Sequence, residues 1–121
     1  EILPLDIPMA TDTANSWWWV VYVDGQPVAF AGLSKSIQWA DAGYLCRAGV
    51  MTSARGKGLQ KRLIQARENK ARSLGWRWIV TDTTDNPASA NSLISRGFRM
   101  FTPSAPWGNP TACYWRKELK Q

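Results

Sequence analysis

The sequence predicts a mixed α/β domain with a central, mostly antiparallel twisted sheet and helices on both faces. Three observations lead there. An aromatic and β-branched run, Trp17 to Val23, meets a second apolar run, Pro27 to Leu33, across the turn dipeptide Asp24-Gly25, which is the pattern of a β-hairpin. Gly58 to Leu74 repeats apolar residues at helical spacing among lysines and arginines, the pattern of a half-buried helix. The chain of 121 residues, 45% hydrophobic and 20% charged, supplies one core and no more.

Each element follows in order. Residues 1–16, rich in Pro, Thr, Asp and Asn, read as an irregular segment, without the charged-then-apolar pattern of a leader; starting at Glu1 instead of Met leaves room for an upstream part. Residues 17–121 read as one domain, because no repeat, low-complexity stretch or linker interrupts them. Both hairpin arms are apolar on both faces, so the sheet is expected to be covered on each side there and the arms kept from an edge. Gly43 to Met51 is a third strand, in which Gly49 suggests a bulge or a close approach. In the helix Gly58 to Leu74 the apolar stripe is Leu59, Leu63, Ala66 and Leu74, and Gly75 is the stop signal. Trp76 to Thr81 is a strand. Asn86-Pro87 is an N-cap followed by proline at the first helical position, opening a short helix, Ala88 to Arg96, that Gly97 closes. Phe98 to Thr102 and Ala112 to Lys117 complete the strands.

Composition removes whole classes of chemistry. There is no histidine, so Ser-His-Asp and Cys-His hydrolysis and His-ligated metals are excluded. Cys46 and Cys113 are the only cysteines; they exclude a four-cysteine zinc site, are expected to be buried and inert, and suit a reduced, cytosolic chain. The longest apolar run is seven residues, against about 20 for a membrane-spanning helix. The net charge of +6 is concentrated: between Arg55 and Arg77 eight basic residues face the single acid Glu68, leaving the rest of the chain slightly negative. Such a block suits a solvated helix face, a nucleic-acid patch or a phosphate-rich small molecule.

The junction Val50-Met51-Thr52-Ser53-Ala54-Arg55-Gly56-Lys57-Gly58-Leu59 narrows the choice. A strand runs through a Gly-rich turn directly into a basic helix, where free first-turn N–H groups and the helix dipole favour an anion such as a diphosphate. It is neither a Walker A loop, since Gly58 stands where Ser or Thr must follow Lys57, nor a dinucleotide turn, since Lys61 occupies the third glycine position.

Arg55-Gly56-Lys57-Gly58-Leu59-Gln60, followed by Asn86-Pro-Ala-Ser-Ala-Asn-Ser-Leu-Ile-Ser-Arg-Gly97-Phe98 with a strand between, resembles the two motifs of the GCN5-related N-acetyltransferases. The resemblance extends over about Trp17 to Lys117. It implies acetyl-coenzyme A as cosubstrate, no metal, and direct attack by an amine in a ternary complex. Coenzyme binding then falls to Arg55, Gly56, Lys57, Gly58, Leu59 and Gln60 for the pyrophosphate, to Ala48, Gly49 and Val50 for the pantetheine arm, and to Asn86 and Ser89. The arm enters where Tyr44 to Met51 and Trp76 to Thr81 splay, and a backbone N–H near Val50 acts as oxyanion donor. This chain departs from the family pattern at Gln60, where Gly or Ala is preferred and whose side chain must point away from the pyrophosphate, and at Leu93, where many members carry a Tyr acid.

Ser92 is left as a candidate acid and Tyr44 as a candidate base or substrate contact, with Asp41 or water as other routes for the proton. Most of the eight tryptophans are expected in the core, while Trp39 and Trp107, in loops, suit the acceptor site. The expected partners are acetyl-CoA, an amine of a small molecule or protein, and a second copy in a homodimer, with no membrane. Two other readings stand beside enzymatic acetyl transfer: an acetyl-CoA-binding module without turnover, suggested by Leu93 and Tyr44, and a tRNA-directed acetyltransferase, suggested by the basic window and ranked last because the coenzyme phosphates already give those charges a partner.

Overall fold

Asp24 and Gly25 turn the first hairpin with positive φ of 51° and 79°, the conformation that matches the twist of two-residue hairpins. The computed structural model describes residues 16–120, so the irregular segment expected over residues 1–16 lies outside them except for Ser16. The elements are β1 (Ser16–Val23), β2 (Gln26–Lys35), β3 (Ala42–Val50), a 3-10 turn (Thr52–Ala54), α1 (Leu59–Ser73), β4 (Trp78–Thr83), α2 (Pro87–Ser95), β5 (Arg99–Phe101) and β6 (Cys113–Glu118). They form a six-stranded sheet in the order β1-β2-β3-β4-β6-β5. Every neighbouring pair is antiparallel except β3 and β4. The mixed α/β, mostly antiparallel architecture is therefore as expected.

The helices are placed differently. Ile64 and Ala71 of α1 and Leu93 of α2 share one core cluster with Leu33, Leu45, Ile79 and Trp115, so both described helices cover the same face. β1 is an edge strand among the described residues, half-buried along most of its length, and Val20, Tyr22 and Val23 are exposed. Among the described residues, the expected cover on both sides of the hairpin is thus absent from β1. Of the tryptophans, only Trp115 is fully buried; the other seven are half-buried, with Trp17, Trp19 and Trp76 flanking the core.

α1 ends in a Schellman motif. Gly75 has φ +79°, its N–H donates to Arg72 O at 2.9 Å, and Trp76 N–H donates to Ala71 O at 3.0 Å. Trp76 is thereby kept by the helix, and Arg77 and Trp78 both donate to Asp41 O, which delays β4 to Trp78. The expected strand Trp76 to Thr81 is displaced by two residues, and Asp82 and Thr83 become part of β4.

One buried acid ties the layers together. Glu68, fully buried on α1, accepts from Lys117 of β6 at 3.0 Å and Arg96 beyond α2 at 3.2 Å, and lies 3.6 Å from Arg72. Arg96 also bonds Gln65. Arg77 pairs with Glu118, and Lys70 lies over the Trp17 ring. The basic window is therefore no single patch, since much of it serves the fold.

Candidate active site

β3 and β4 run parallel for only three pairs, Ala42↔Trp78, Gly43↔Ile79 and Tyr44↔Val80. Beyond them the strands part. The cause is visible in the other register of β3: Ala31 faces Ala48 and Leu33 faces Leu45, so β3 fits one extra residue opposite Gly32. A bulge of this kind bends its strand. It falls at Cys46–Arg47, and not at Gly49, which pairs regularly with Phe30. Thr81 Oγ1 donates to Leu45 O at 2.9 Å and closes the vertex of the fork.

Past the bulge, among the described residues, β3 has an unpaired edge inside the sheet. Met51 N–H donates to Val28 O at 2.7 Å, and backbone groups alternate sides along a strand. The N–H groups of Ala48 and Val50 therefore face away from β2, into the fork. The carbonyl of Val50 faces the same way and accepts from Arg55 Nε at 3.1 Å.

This edge leads into the Gly-rich turn. Gly56 and Gly58 have φ of +79° and +77°, with open space where a Cβ would stand. Gly58 is the N-cap of α1 and no side chain caps the helix, so the first-turn N–H groups are free for an anion. A cavity of about 330 Å³ joins Gly49, Val50, Arg55, Gly56, Gly58 and Asn86. Leu59, Gln60 and Ser89 also line it, whereas Lys57 is exposed beside it.

A second cavity, of about 310 Å³, continues to the vertex and shares Ala48, Gln60 and Ser89 with the first. Gln60 Nε2 donates to Ser89 Oγ at 3.1 Å, so its side chain reaches across to α2. Asn86 caps α2 as expected, its Oδ1 accepting from Ser89 N–H at 3.0 Å. Leu93 lines the deep cavity, buried, while Ser92 does not line it.

At the vertex Tyr44 Oη donates to Asp82 Oδ1 at 2.5 Å. Burial, then the hydrogen bond and negative charge of Asp82, push the Tyr44 phenol well above its ordinary range. Tyr44 thus donates a hydrogen bond to Asp82 while keeping its own proton, which is the opposite of what a base requires. Asp82 lies one residue beyond the strand that the sequence predicts to end at Thr81; the signal that finds it is the period-two alternation of Trp78 to Thr83, which puts Asp82 on the same face as Val80. Asp41 lies at the start of β3, with its carbonyl engaged by Arg77 and Trp78, and is not among the residues lining the fork.

Two other groups of the deep cavity were not expected there. Cys46 is half-buried and lines it; burial pushes its thiol up, against the opposing charge of Arg67. Arg67 is 2% exposed, donates to Leu63 O and Gly32 O at 3.1 Å each, and burial lowers it to about 10. No carboxylate pairs with it among the described residues. Cys113 is half-buried on β6. Among the described residues no group of three or more His, Cys, Asp or Glu could hold a metal ion, and no helix is long and apolar enough to cross a membrane.

Comparison with known proteins identifies this architecture. No functionally curated protein matches the chain. Among solved structures, the GNAT domain of S. lividans PAT superimposes with TM-score 0.75 at 13% identity, covering 87% of this chain and 61% of that one. An IAA acetyltransferase from Bacillus cereus gives 0.73 at 15%, covering 87% and 79%. The PaiA N-acetyltransferase from Thermoplasma acidophilum, solved in complex with coenzyme A, gives 0.71 at 14%, covering 86% and 61%. These likenesses concern the fold. The family model of the acetyltransferase (GNAT) family matches residues 3–98, most of the sequence, and the chain belongs to that family.

Proposed function

We propose that the chain transfers an acetyl group from acetyl-CoA to an amine bound on the opposite side of the fork. The observation that carries this reading is the unpaired inner edge of β3, with Ala48 and Val50 N–H turned into a groove that ends at the uncapped N-terminus of α1. An extended chain ending in a diphosphate fits that groove. Its amide-bearing arm would add to β3 as a strand does, and the open cradle at Gly56 and Gly58 would take the pyrophosphate. Acetyl-CoA supplies the acyl group as a thioester, and the C–N bond to the amine forms as the C–S bond breaks with its electron pair on sulfur.

The chain's residues then divide the work. Asp82 takes the proton that the amine nitrogen gives up, and Tyr44, donating to it at 2.5 Å, holds the carboxylate in place. Leu93, where many family members carry a tyrosine acid, has no proton to give, but Arg67 brings a buried positive charge to the same cavity, which favours departure of sulfur as the thiolate. The deep end of the groove is at Cys46 to Ala48, so the Ala48 N–H, turned into the fork there, takes the place of the oxyanion donor expected near Val50. Gln60, bonded to Ser89, leaves the Gly-rich turn open as its position requires.

A thermal-shift titration with acetyl-CoA, coenzyme A and dephospho-coenzyme A, followed by thiol release with a panel of amines, tests the reading. Saturation at about 100 times Kd adds ~2.7 kcal/mol to the native state, and a clear upward shift with the first two ligands is expected, with thiol release once an amine is present. No shift at millimolar ligand would sink it. A shift without thiol release for any amine would leave a coenzyme-binding module.

A further inference from the structure

The face of the sheet turned away from the helices carries a row of residues that the coenzyme reading does not use. One rung runs Tyr44, Val80, Arg116, Arg99 across β3, β4, β6 and β5. Residues paired across strands share a face, so Tyr44 and two guanidinium groups stand on the same side, separated by the apolar Val80. Like charges directly opposed are destabilising, yet neither arginine has an ion-pair partner among the described residues. Glu118, on the same face of β6, is already held by Arg77 at 2.8 Å.

The setting of Arg116 is that of a binding site. Its guanidinium lies 4.8 Å from the Phe101 ring, 5.5 Å from Trp78 and 5.8 Å from Trp39, while the residue itself remains exposed. It opens onto a cavity of about 260 Å³ with Trp39, Phe101 and Trp107. A neighbouring cavity of about 340 Å³ is lined by Tyr44, Val80 and Ile37 and shares Gln38 and Trp107 with the first. The indole Nε1 of Trp107 is buried and has no hydrogen-bond partner. A continuous trough, polar at its Arg116 end and mainly apolar at its Tyr44 end, thus leads from a cation without an ion-pair partner among the described residues to the Tyr44–Asp82 pair.

We infer that the acceptor is an amino acid in the broad chemical sense: a primary amine carrying a carboxylate on a short apolar or planar spacer. The carboxylate is held by Arg116, with Arg99 beside it, and the amine reaches Tyr44 and Asp82. This rests on the acetyl-transfer reading for the position of the amine. Strands lie about 4.8 Å apart, so the backbones of Tyr44 and Arg116 are roughly 10 Å apart, and the long arginine side chain shortens the gap to about one aromatic ring. Guanidinium meets carboxylate in a planar, two-bonded geometry. Single-stranded RNA is the weaker fit: the cavities have the size of small-molecule sites, and the rings meet one another edge-on, Trp39 and Trp78 at 80°, Trp107 and Tyr114 at 76°, instead of offering parallel faces to successive bases.

The test compares 4-(aminomethyl)benzoate with its uncharged amide, 4-(aminomethyl)benzamide, on the wild type, Arg116→Gln and Arg116→Lys. Acetyl-CoA turnover is read by thiol release and binding by calorimetry on the coenzyme A-loaded protein; the acetyl-CoA thermal shift reports that each variant is folded. The wild type should prefer the benzoate at least tenfold in kcat/KM, mainly through KM. In Arg116→Gln the ratio should fall towards one, and Arg116→Lys should retain part of it. Equal use of the two compounds by the wild type, or parallel loss of both in Arg116→Gln, would overturn the inference. So would an RNA oligonucleotide that binds with steep salt dependence, depends on Arg116 and displaces the benzoate. If acetyl-CoA does not bind at all, the acetyl-transfer reading falls separately, and the same two compounds titrated into the free protein still decide whether Arg116 selects a carboxylate.

Discussion

At the scale of single residues, the pair at the vertex separates two jobs that one residue could not perform. Asp82 can accept a proton; Tyr44, with its phenol pushed far upward by burial and by Asp82 itself, keeps its own. Asp82→Asn should therefore cut kcat by about 10²–10⁴, the usual contribution of a positioned base, with little change in acetyl-CoA affinity. Tyr44→Phe should cost less, because it removes only the orienting bond. Thiol-release kinetics on both variants checks the order, and a larger loss in Tyr44→Phe would mean that the phenol, and not the carboxylate, handles the proton. Stability provides a second readout. Above about pH 10 an unfolded tyrosine loses its proton while folded Tyr44 retains it. The native state then binds more protons than the unfolded one, and stability falls as pH rises. Urea midpoints should therefore decline more steeply above pH 10 in the wild type than in Tyr44→Phe.

At the scale of elements, α1 does more than its apolar stripe suggests. Arg67 and Glu68 are neighbours in sequence and both buried, yet they face different tasks: Arg67 lines the deep cavity and bonds Gly32 O under the bulge, while Glu68 gathers Arg72, Arg96 and Lys117. Removing one partner of such a cluster leaves charges unpaired in a poorly solvated place. Glu68→Ala is expected to cost about 3 kcal/mol, read as a lower urea midpoint at an unchanged slope; Glu68→Gln, which keeps a hydrogen-bond acceptor, should lose less. A shift under ~0.5 kcal/mol for the alanine variant would show that solvent already satisfies the three cations. None of this was legible in the sequence, where a Lys and Arg block around one acid reads as a solvated face. What was legible is local: the Asp24-Gly25 hairpin, Gly75 as helix stop and Asn86 as cap are each dictated by neighbours within a few residues. The start of β4 was misplaced because the Schellman motif retains Trp76, and with it went Asp82, the acid that completes the vertex.

At the scale of the whole molecule, the fork divides the sheet into β1-β2-β3 and β4-β6-β5, joined by three backbone pairs, the Thr81–Leu45 bond and the helices that bridge them. Of the order of strands, only the splayed neighbours β3 and β4 follow from the motif resemblance, because which strands neighbour one another is decided by contacts far apart in sequence. The Gly-rich turn was readable for the opposite reason, as its glycines, free N–H groups and helix follow one another along the chain. The placement of both helices on one face, and of Arg99 beside Arg116, depends on register that no short window encodes. That division makes a prediction about cooperativity. In the free protein the amides of Ala48 and Val50 have no strand partner and should exchange with solvent within the fast class, whereas Ala31 and Leu33 on the paired side of the same sheet should be slow. An arm laid along β3 would supply the missing strand, so saturating coenzyme A should slow Ala48 and Val50 by at least tenfold and leave the β1–β2 hairpin unchanged. Hydrogen exchange resolved by residue reads this directly. Protection that appears only around Gly56 to Gln60 would mean that the diphosphate is held at the helix while the arm stays out of the fork; uniform slowing of every strand would mean that the ligand stabilises the fold globally without pairing with β3.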